Sequence, residues 1–342
     1  MEAPDDRPGG SEHGTAAADA DRFGPGSFAP IAASSRSGVD ESLHHGAAVV
    51  VGPDGDVLDA LGDPELAIFP RSSLKPFQAS AMARAGLDLP DRLLAVVVAS
   101  HSGEGRHLAA VREVLRRHDL DERDLANTPT LPAGEAARAA AIAAGRPPTA
   151  LAQNCSGKHA GMLATCRVRG WPTEGYLDVD HPLQRSIVDE LNRLGGRAGG
   201  SVRAIGVDGC GAPTHVVPLV DAARALSRLV VEGSPVPRAM RARPDLVGGA
   251  GRDVTRWMGE VDGLVAKEGA DGVLVAAVAD GRAGALKVAD GSDAARRAAT
   301  TELLRRLGVD VDGRHRDLAR SLRPDVLGHG EPVGAVRALP WA

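Results

Sequence analysis

Aromatic residues are scarce, at 2% of the 342-residue sequence, so the stacking surfaces that grip single-stranded nucleic acid are largely missing. Basic residues are not in excess either. The formal net charge is −5 and no basic stripe stands out, which argues against a nucleic-acid partner. No uninterrupted apolar run is long enough to cross a bilayer, so no membrane association is expected. The first residues, Met1-Glu2-Ala3-Pro4-Asp5-Asp6, lack the basic stretch followed by an apolar one that marks a signal peptide. Cysteine is sparse and odd in number, with Cys155, Cys166 and Cys210 only. That excludes a disulfide framework and fits a reducing cytoplasm, with free thiols or a metal.

What is present is a globular composition. Hydrophobic residues make up 43% of the chain, enough for a sizeable core in one large domain or two modest ones. Residues 1–37 are rich in Gly, Ala, Asp, Ser and Pro without apolar periodicity and are expected to form a disordered extension. The apolar and turn patterning of a folded protein begins at about residue 38. The stretches 46–51 and 56–61 flank Gly52-Pro53-Asp54-Gly55 and predict a β-hairpin. The apolar run 93–100 reads equally as a buried strand or a buried helix. Helices are expected over 107–118, 133–144, 160–167, 183–194 and 219–229, and a clean amphipathic one over 294–307. Strands are expected over 273–278, 282–288 and 331–335, and 204–207 is a short apolar segment ahead of the turn-rich polar cluster 208–214. The economical arrangement is a sheet drawn from both chain ends, with a helical insertion over roughly 75–215.

The stretch that concentrates chemistry is Arg71-Ser72-Ser73-Leu74-Lys75-Pro76. Ser72 stands where a helix N-cap is expected, and Pro76 is tolerable only in a first turn. Ser72 and Lys75 are three residues apart, so one helical turn points both the same way. A hydroxyl beside an amine at a helix start can act as nucleophile and base once the amine is deprotonated. Burial and a neighbouring positive charge, such as Arg71, push a lysine in that direction. The ordinary alternative is a capped helix with a solvated lysine. Serine hydrolases of the penicillin-recognising type combine Ser-x-x-Lys, a second Ser-containing element and Lys-Thr-Gly on a strand. Here Ser72 and Lys75 are followed by Ser100-His101-Ser102, then by Lys267-Glu268-Gly269 ahead of a strand, with Glu268 where Thr would stand.

Cys155-Ser156-Gly157-Lys158-His159 and the distant Cys210 do not have the spacing of a structural zinc site. From spacing alone the thiols read as small buried fillers, and Cys166 as a core residue on a helix face.

Taken together these segments resemble the L-asparaginase II family of the rhizobial, thermolabile type. The matching stretches are Pro70 to Ala79, Ala99 to Glu104, Asn154 to Leu163, Asp180 to Gln184 and Val207 to Thr214. The resemblance implies an α+β fold like that of serine β-lactamases, an antiparallel sheet flanked by helices plus a mostly helical subdomain. It also implies a homodimer that hydrolyses L-asparagine to aspartate and ammonia. By matching motif, Ser72, Lys75, Ser100 and Lys267 are the catalytic residues. Cys155, Lys158 and Cys210 surround a zinc ion, which replaces the filler reading of the two thiols. Asp208, Arg71 and His159 contact substrate. The chain departs from the rhizobial pattern at Gly249-Ala250-Gly251-Arg252, where those relatives carry an acidic residue. Two rival readings remain at this point, a penicillin-recognising serine hydrolase and a non-enzymatic zinc or thiol protein on the same fold.

Overall fold

The structure, a computed structural model, describes residues 23–341. It opens with three strands, β1 (Ala29–Arg36), β2 (Val39–Val51) and β3 (Val57–Leu61). The β2–β3 hairpin turns at Gly52 to Gly55, as expected, with Gly55 at φ 88°. Strand β1 corrects the expected boundary of the disordered extension, because residues 29–36 pair with β2 and with a strand from the far end of the chain. Residues 1–22 of that stretch lie outside the described residues.

After the short β4 (Ala67–Ile68), a 3-10 turn spans Arg71–Leu74 and leads into α1 (Lys75–Arg84). The Ser72 side chain caps nothing, which corrects the N-cap reading. The first residue of α1 is Lys75, and Pro76 sits in its first turn. The ambiguous apolar run forms α2 (Asp91–Val97). It is apolar all round because helices surround it: α3 (Gly105–Arg116) and α5 (Ser156–Arg169), joined later by α8 (Pro235–Ala242) and α9 (Pro244–Val247). Between α3 and α5 lies α4 (Glu135–Ala143), the Ala-rich helix. Helix α6 (Pro182–Gly195) follows, and α5 and α6 both end on a left-handed glycine, Gly170 and Gly196. Strands β5 (Ala204–Val207) and β6 (Pro213–Pro218) join β4 in a small sheet of order β4-β6-β5.

Helix α7 (Leu219–Val231) packs on the main sheet, and with α8, α9 and α10 (Asp253–Glu260) it carries the helical part well past residue 215. The chain then returns to the sheet through β7 (Val265–Gly269), β8 (Val273–Ala277) and β9 (Ala283–Val288). Helices α11 (Asp293–Arg306) and α12 (Arg316–Leu322) and strands β10 (Asp325–Gly328) and β11 (Glu331–Ala338) complete the fold. The main sheet runs β10-β11-β1-β2-β9-β8-β7, antiparallel in every pair, with β3 beside β2. Every residue of β8 and β9 is buried, so both faces of the sheet are covered there. This is the expected α+β architecture, with strands from both chain ends and helices between. Helix α11 differs in detail. It is not cleanly amphipathic, because Arg296, Thr300 and Glu302 are buried along with its alanines and leucines. Arg296 is held inside by Asp253 at 2.9 Å.

Candidate active site

The 3-10 turn that carries Ser72 is clamped against β7. A Cβ added at Gly269 would lie 2.2 Å from the Pro70 carbonyl oxygen, an approach only glycine permits. Ser73 Oγ donates to the Lys267 carbonyl at 3.0 Å, closing the contact. Arg71, at the head of the turn, has φ 55°, a left-handed conformation that costs a non-glycine residue energy and is held by its surroundings. In a 3-10 turn residues three apart eclipse, so Ser72 shares a face with Lys75. The Ser72 hydroxyl is half-buried and, among the described residues, makes no hydrogen bond.

Lys75 Nζ reaches the end of α2 instead. It donates to Ser100 Oγ at 2.9 Å and to the Ala99 carbonyl at 2.5 Å. Ser100, His101 and Ser102 form a knot stitched to two other segments, the end of α9 and the residues before α5. Their N–H groups donate to Val247, Asn154 and Gly248 carbonyls at 3.0, 3.1 and 2.9 Å. Lys267 lies within β7 and not ahead of a strand, and its amine donates to the Glu268 carbonyl at 2.7 Å. Burial drags its pKa down to about 7, with Lys75 and Arg252 assisting and Glu268 opposing.

Of the 40 lysines and arginines in the chain only four are lysine, and none reaches the surface. Lys75, Lys158, Lys267 and Lys287 are 1%, 2%, 0% and 7% exposed. Lys287 braces the turn before β8, donating to the Asp271 carbonyl at 2.8 Å.

The second cluster forms where α5 begins. A Cβ at Gly157 would sit 1.9 Å from the Val96 carbonyl oxygen, so the first turn of α5 lies directly on α2. That contact turns Cys155 and Lys158 toward the loop after β5, where Lys158 Nζ meets Cys210 Sγ at 3.1 Å. The neighbouring Cys210 thiol draws the Cys155 thiol well below its usual range against the effect of burial, with Lys75 and Lys158 adding to the pull. Cys155 and burial push Cys210 up. Cys155 Sγ itself donates to Asn154 Oδ1 at 3.2 Å. Burial works against the Lys158 charge, but Cys210, Cys155 and Asp208 outweigh it and the amine is held protonated. The His101 N–H bond to the carbonyl of Asn154, the residue before Cys155, joins the serine-lysine cluster to the thiol cluster. Cys166 is core, as expected, its thiol pushed to about 11 by burial. Among the described residues no group of three or more His, Cys, Asp or Glu side chains is disposed to hold a metal. The cluster here has two thiols and an amine.

The expected substrate contacts are partly brought together. Arg71 Nε donates to Asp208 Oδ1 at 2.8 Å and its Nη1 to Asp271 Oδ2 at 2.7 Å. Burial raises the Asp208 carboxyl, but Lys158 and Arg71 bring it below the usual range. His159 is fully buried and turned to Tyr176, whose hydroxyl lies 2.7 Å from Nδ1. That hydroxyl also accepts the Ala126 N–H at 3.1 Å, and Nε2 of the ring has no partner among the described residues. Burial, then Lys158 and Lys75, keep the ring neutral.

Other residues, to which the sequence assigns no role, join the site. His101 Nδ1 accepts the Gly103 N–H at 3.2 Å, so its Nε2 donates to Ser156 Oγ at 2.9 Å, linking the Ser100 knot to α5. Arg252 is ion-paired with Glu268, the residue after Lys267. A strap over 126–134 is tied to both clusters. Thr128 Oγ1 donates to the Gly209 carbonyl at 3.2 Å, and the Gly134 N–H donates to the Ser102 carbonyl at 2.8 Å. Asn127 Nδ2 donates to Gln153 Oε1 at 3.2 Å, which also accepts the Cys155 N–H at 2.9 Å. These are single polar residues in a turn-rich stretch, and no periodicity or spacing marks them.

Among solved structures the chain is similar to a beta-lactamase from Mycobacterium bovis, at 14% identity and a TM-score of 0.44, over 79% of this chain and 94% of that one. No curated protein matches it. Among the described residues no helix is long and apolar enough to cross a membrane. The family model for L-asparaginase II matches residues 32–338, nearly the whole of the described chain. The chain therefore belongs to the L-asparaginase II family, and its reaction class is that of an amidohydrolase.

Proposed function

We propose that the chain hydrolyses free L-asparagine to aspartate and ammonia through a serine ester. The observation that carries this reading is the grouping of two serines with buried lysines: Lys75 is bonded to Ser100 and one turn from Ser72, and Lys267, its pKa drawn to about 7, lies on the strand whose backbone holds the Ser72 turn. The Arg71–Asp208 ion pair has the charges that an α-amino acid complements. Asp208 takes the α-ammonium and Arg71 the α-carboxylate, which leaves the side-chain amide to face the serines.

Ser72 Oγ attacks the amide carbon, and its proton passes to the Lys75 amine directly or through Ser100, which Lys75 already holds. Collapse of the tetrahedral species breaks the C–N bond and returns the proton to the leaving nitrogen as ammonia. Water then cleaves the aspartyl ester with Lys267 as base, restoring the Ser72 hydroxyl. Backbone N–H groups of the 3-10 turn are the donors for the oxyanion. His159, buried against Tyr176, orients the wall of the pocket in this reading and does not exchange protons.

Cys155, Lys158 and Cys210 are the residues that would hold a zinc ion. Their chemistry fits it, with two adjoining thiols, one drawn toward thiolate, and an amine that becomes a ligand on losing its proton. When bound, the metal supplies a cationic centre that orients a polar group of the substrate. Assembly as a cytoplasmic homodimer belongs to the same proposal.

A second reading makes Ser100 the nucleophile, favoured by its direct bond to Lys75. The test of the function is ammonia release measured across L-asparagine, L-glutamine and D-asparagine. Turnover of L-asparagine supports the proposal. Rapid turnover of a chromogenic β-lactam with no ammonia from asparagine supports the penicillin-recognising rival, and zinc binding without any turnover supports a non-enzymatic protein.

A further inference from the structure

A concavity with a volume of about 700 Å³ lies away from the serines, between α11, α12 and β11. That is the size of a small-molecule site. Five arginines line it: Arg305, Arg316, Arg320, Arg323 and Arg337. Two carboxylates are present, and both are already neutralised. Glu302 is paired with Arg305 and Arg306, and Asp312 with Arg305. Arg337 has its own partner in Asp40 at 2.7 Å.

Arg316, Arg320 and Arg323 are different. Among the described residues none of the three is ion-paired, and only Arg316 makes a side-chain hydrogen bond, to the Asp312 carbonyl at 2.6 Å. They stand four and three residues apart on α12 and just past its end, which lines their guanidinium groups along one face. Like charges in such a row repel one another, and this chain is otherwise acidic, at −5 overall. Neighbouring arginines were given carboxylates, while this row was left open toward a groove. The floor between the arginines is apolar, with Ala319, Val336 and Pro340.

We propose that this groove binds a small molecule carrying a diphosphate or longer polyphosphate group. Planar guanidinium forks match phosphate oxygens in pairs, and successive forks along one helix face suit successive phosphoryl groups. Such a group occurs free, as pyrophosphate, and on nucleotides, whose base the apolar floor accommodates.

The test is calorimetric titration of the intact protein with pyrophosphate and, separately, with ATP, at physiological salt so that diffuse charge attraction is screened. The Arg320→Ala/Arg323→Ala double variant is compared with Arg116→Ala/Arg138→Ala, which removes the same charge from exposed arginines elsewhere. The expected result is saturable binding that the groove variant weakens by about tenfold or more and the control leaves unchanged. Equal affinity for pyrophosphate and ATP identifies the polyphosphate as the whole ligand. Tighter ATP binding identifies a nucleotide. No binding of either probe up to about 1 mM, or equal weakening in both variants, overturns the proposal. Melting curves of the two variants, expected to coincide with that of the parent, separate loss of binding from loss of fold.

Discussion

Lys75 Nζ donates to Ser100 Oγ at 2.9 Å, although Ser72 lies one turn away on the same face. The amine thus bridges the helix start and the end of α2, so the serines are expected to lose function unequally. Ser72→Ala is predicted to lower kcat on asparagine by about 10³-fold or more, as removal of a nucleophile does. Ser100→Ala, which removes a relay, is predicted to retain a measurable rate. Trapping the acyl intermediate and locating the modified serine by mass spectrometry checks the assignment. An ester on Ser100 would transfer the nucleophile's role to that residue.

Lys267 has its pKa pulled to about 7, principally by burial. As a base it works only when neutral, so the rate of ester hydrolysis is predicted to rise with pH through about 7 and then level off. Lys267→Met should remove that limb of the profile. The stability effect has the opposite origin. An unfolded lysine keeps its proton to about pH 10.4, so between those values the unfolded chain binds more protons and stability rises with pH. Below the folded pKa the cost of burying the amine is constant and greatest. Lys267→Met is therefore expected to gain on the order of 3 kcal/mol at pH 6 relative to its effect at pH 10, measured by urea unfolding.

Asp208 is the acceptor for Arg71 and, in the proposed reading, for the substrate's ammonium. Asp208→Asn keeps the shape and removes the charge. KM for asparagine is predicted to rise roughly 10–100-fold with a smaller change in kcat, the signature of lost binding shared by ground and transition states. Steady-state kinetics decide it, and a fall in kcat with KM unchanged would move Asp208 out of the binding role.

Gly269 is where β7 touches the turn that carries Ser72. Gly269→Ala cannot be accommodated without displacing the Pro70 carbonyl. A loss of about 2 kcal/mol in stability is predicted, from denaturant melts. The activity loss should exceed what the unfolded fraction explains, because the turn itself moves.

Metal content is predicted to fall together in Cys155→Ser and Cys210→Ser, read by elemental analysis of purified protein. Cys166→Ser should leave it unchanged, since that thiol lies elsewhere on α5. Unchanged zinc in the first two variants would return both thiols to a core role.

Much of this site was legible because its motifs sit at element boundaries, where Ser72, Ser100, Cys155 and Asp208 all lie. What could not be read was side-chain direction. Spacing puts Lys75 beside Ser72, but only the placement of α2 shows its amine on Ser100. The apolar run before Ser100 was undecidable, since burial on all sides erases periodicity in helices and strands alike. Strand β1 was missed because its small residues have little strand preference. Its pairing with β11, Ala32 opposite Ala338, brings together opposite ends of the chain.

The confinement of all four lysines to the interior has a practical consequence. Guanidinium does not give up its proton, so the permanent positive charge of the surface can be carried by arginine while the amines are kept where proton loss is useful. Apart from the α-amino group, the exterior is then blank to acylating reagents such as N-hydroxysuccinimide esters. Slow acylation of Lys75, Lys158 or Lys267 would time the opening of the interior itself, with no background from surface amines.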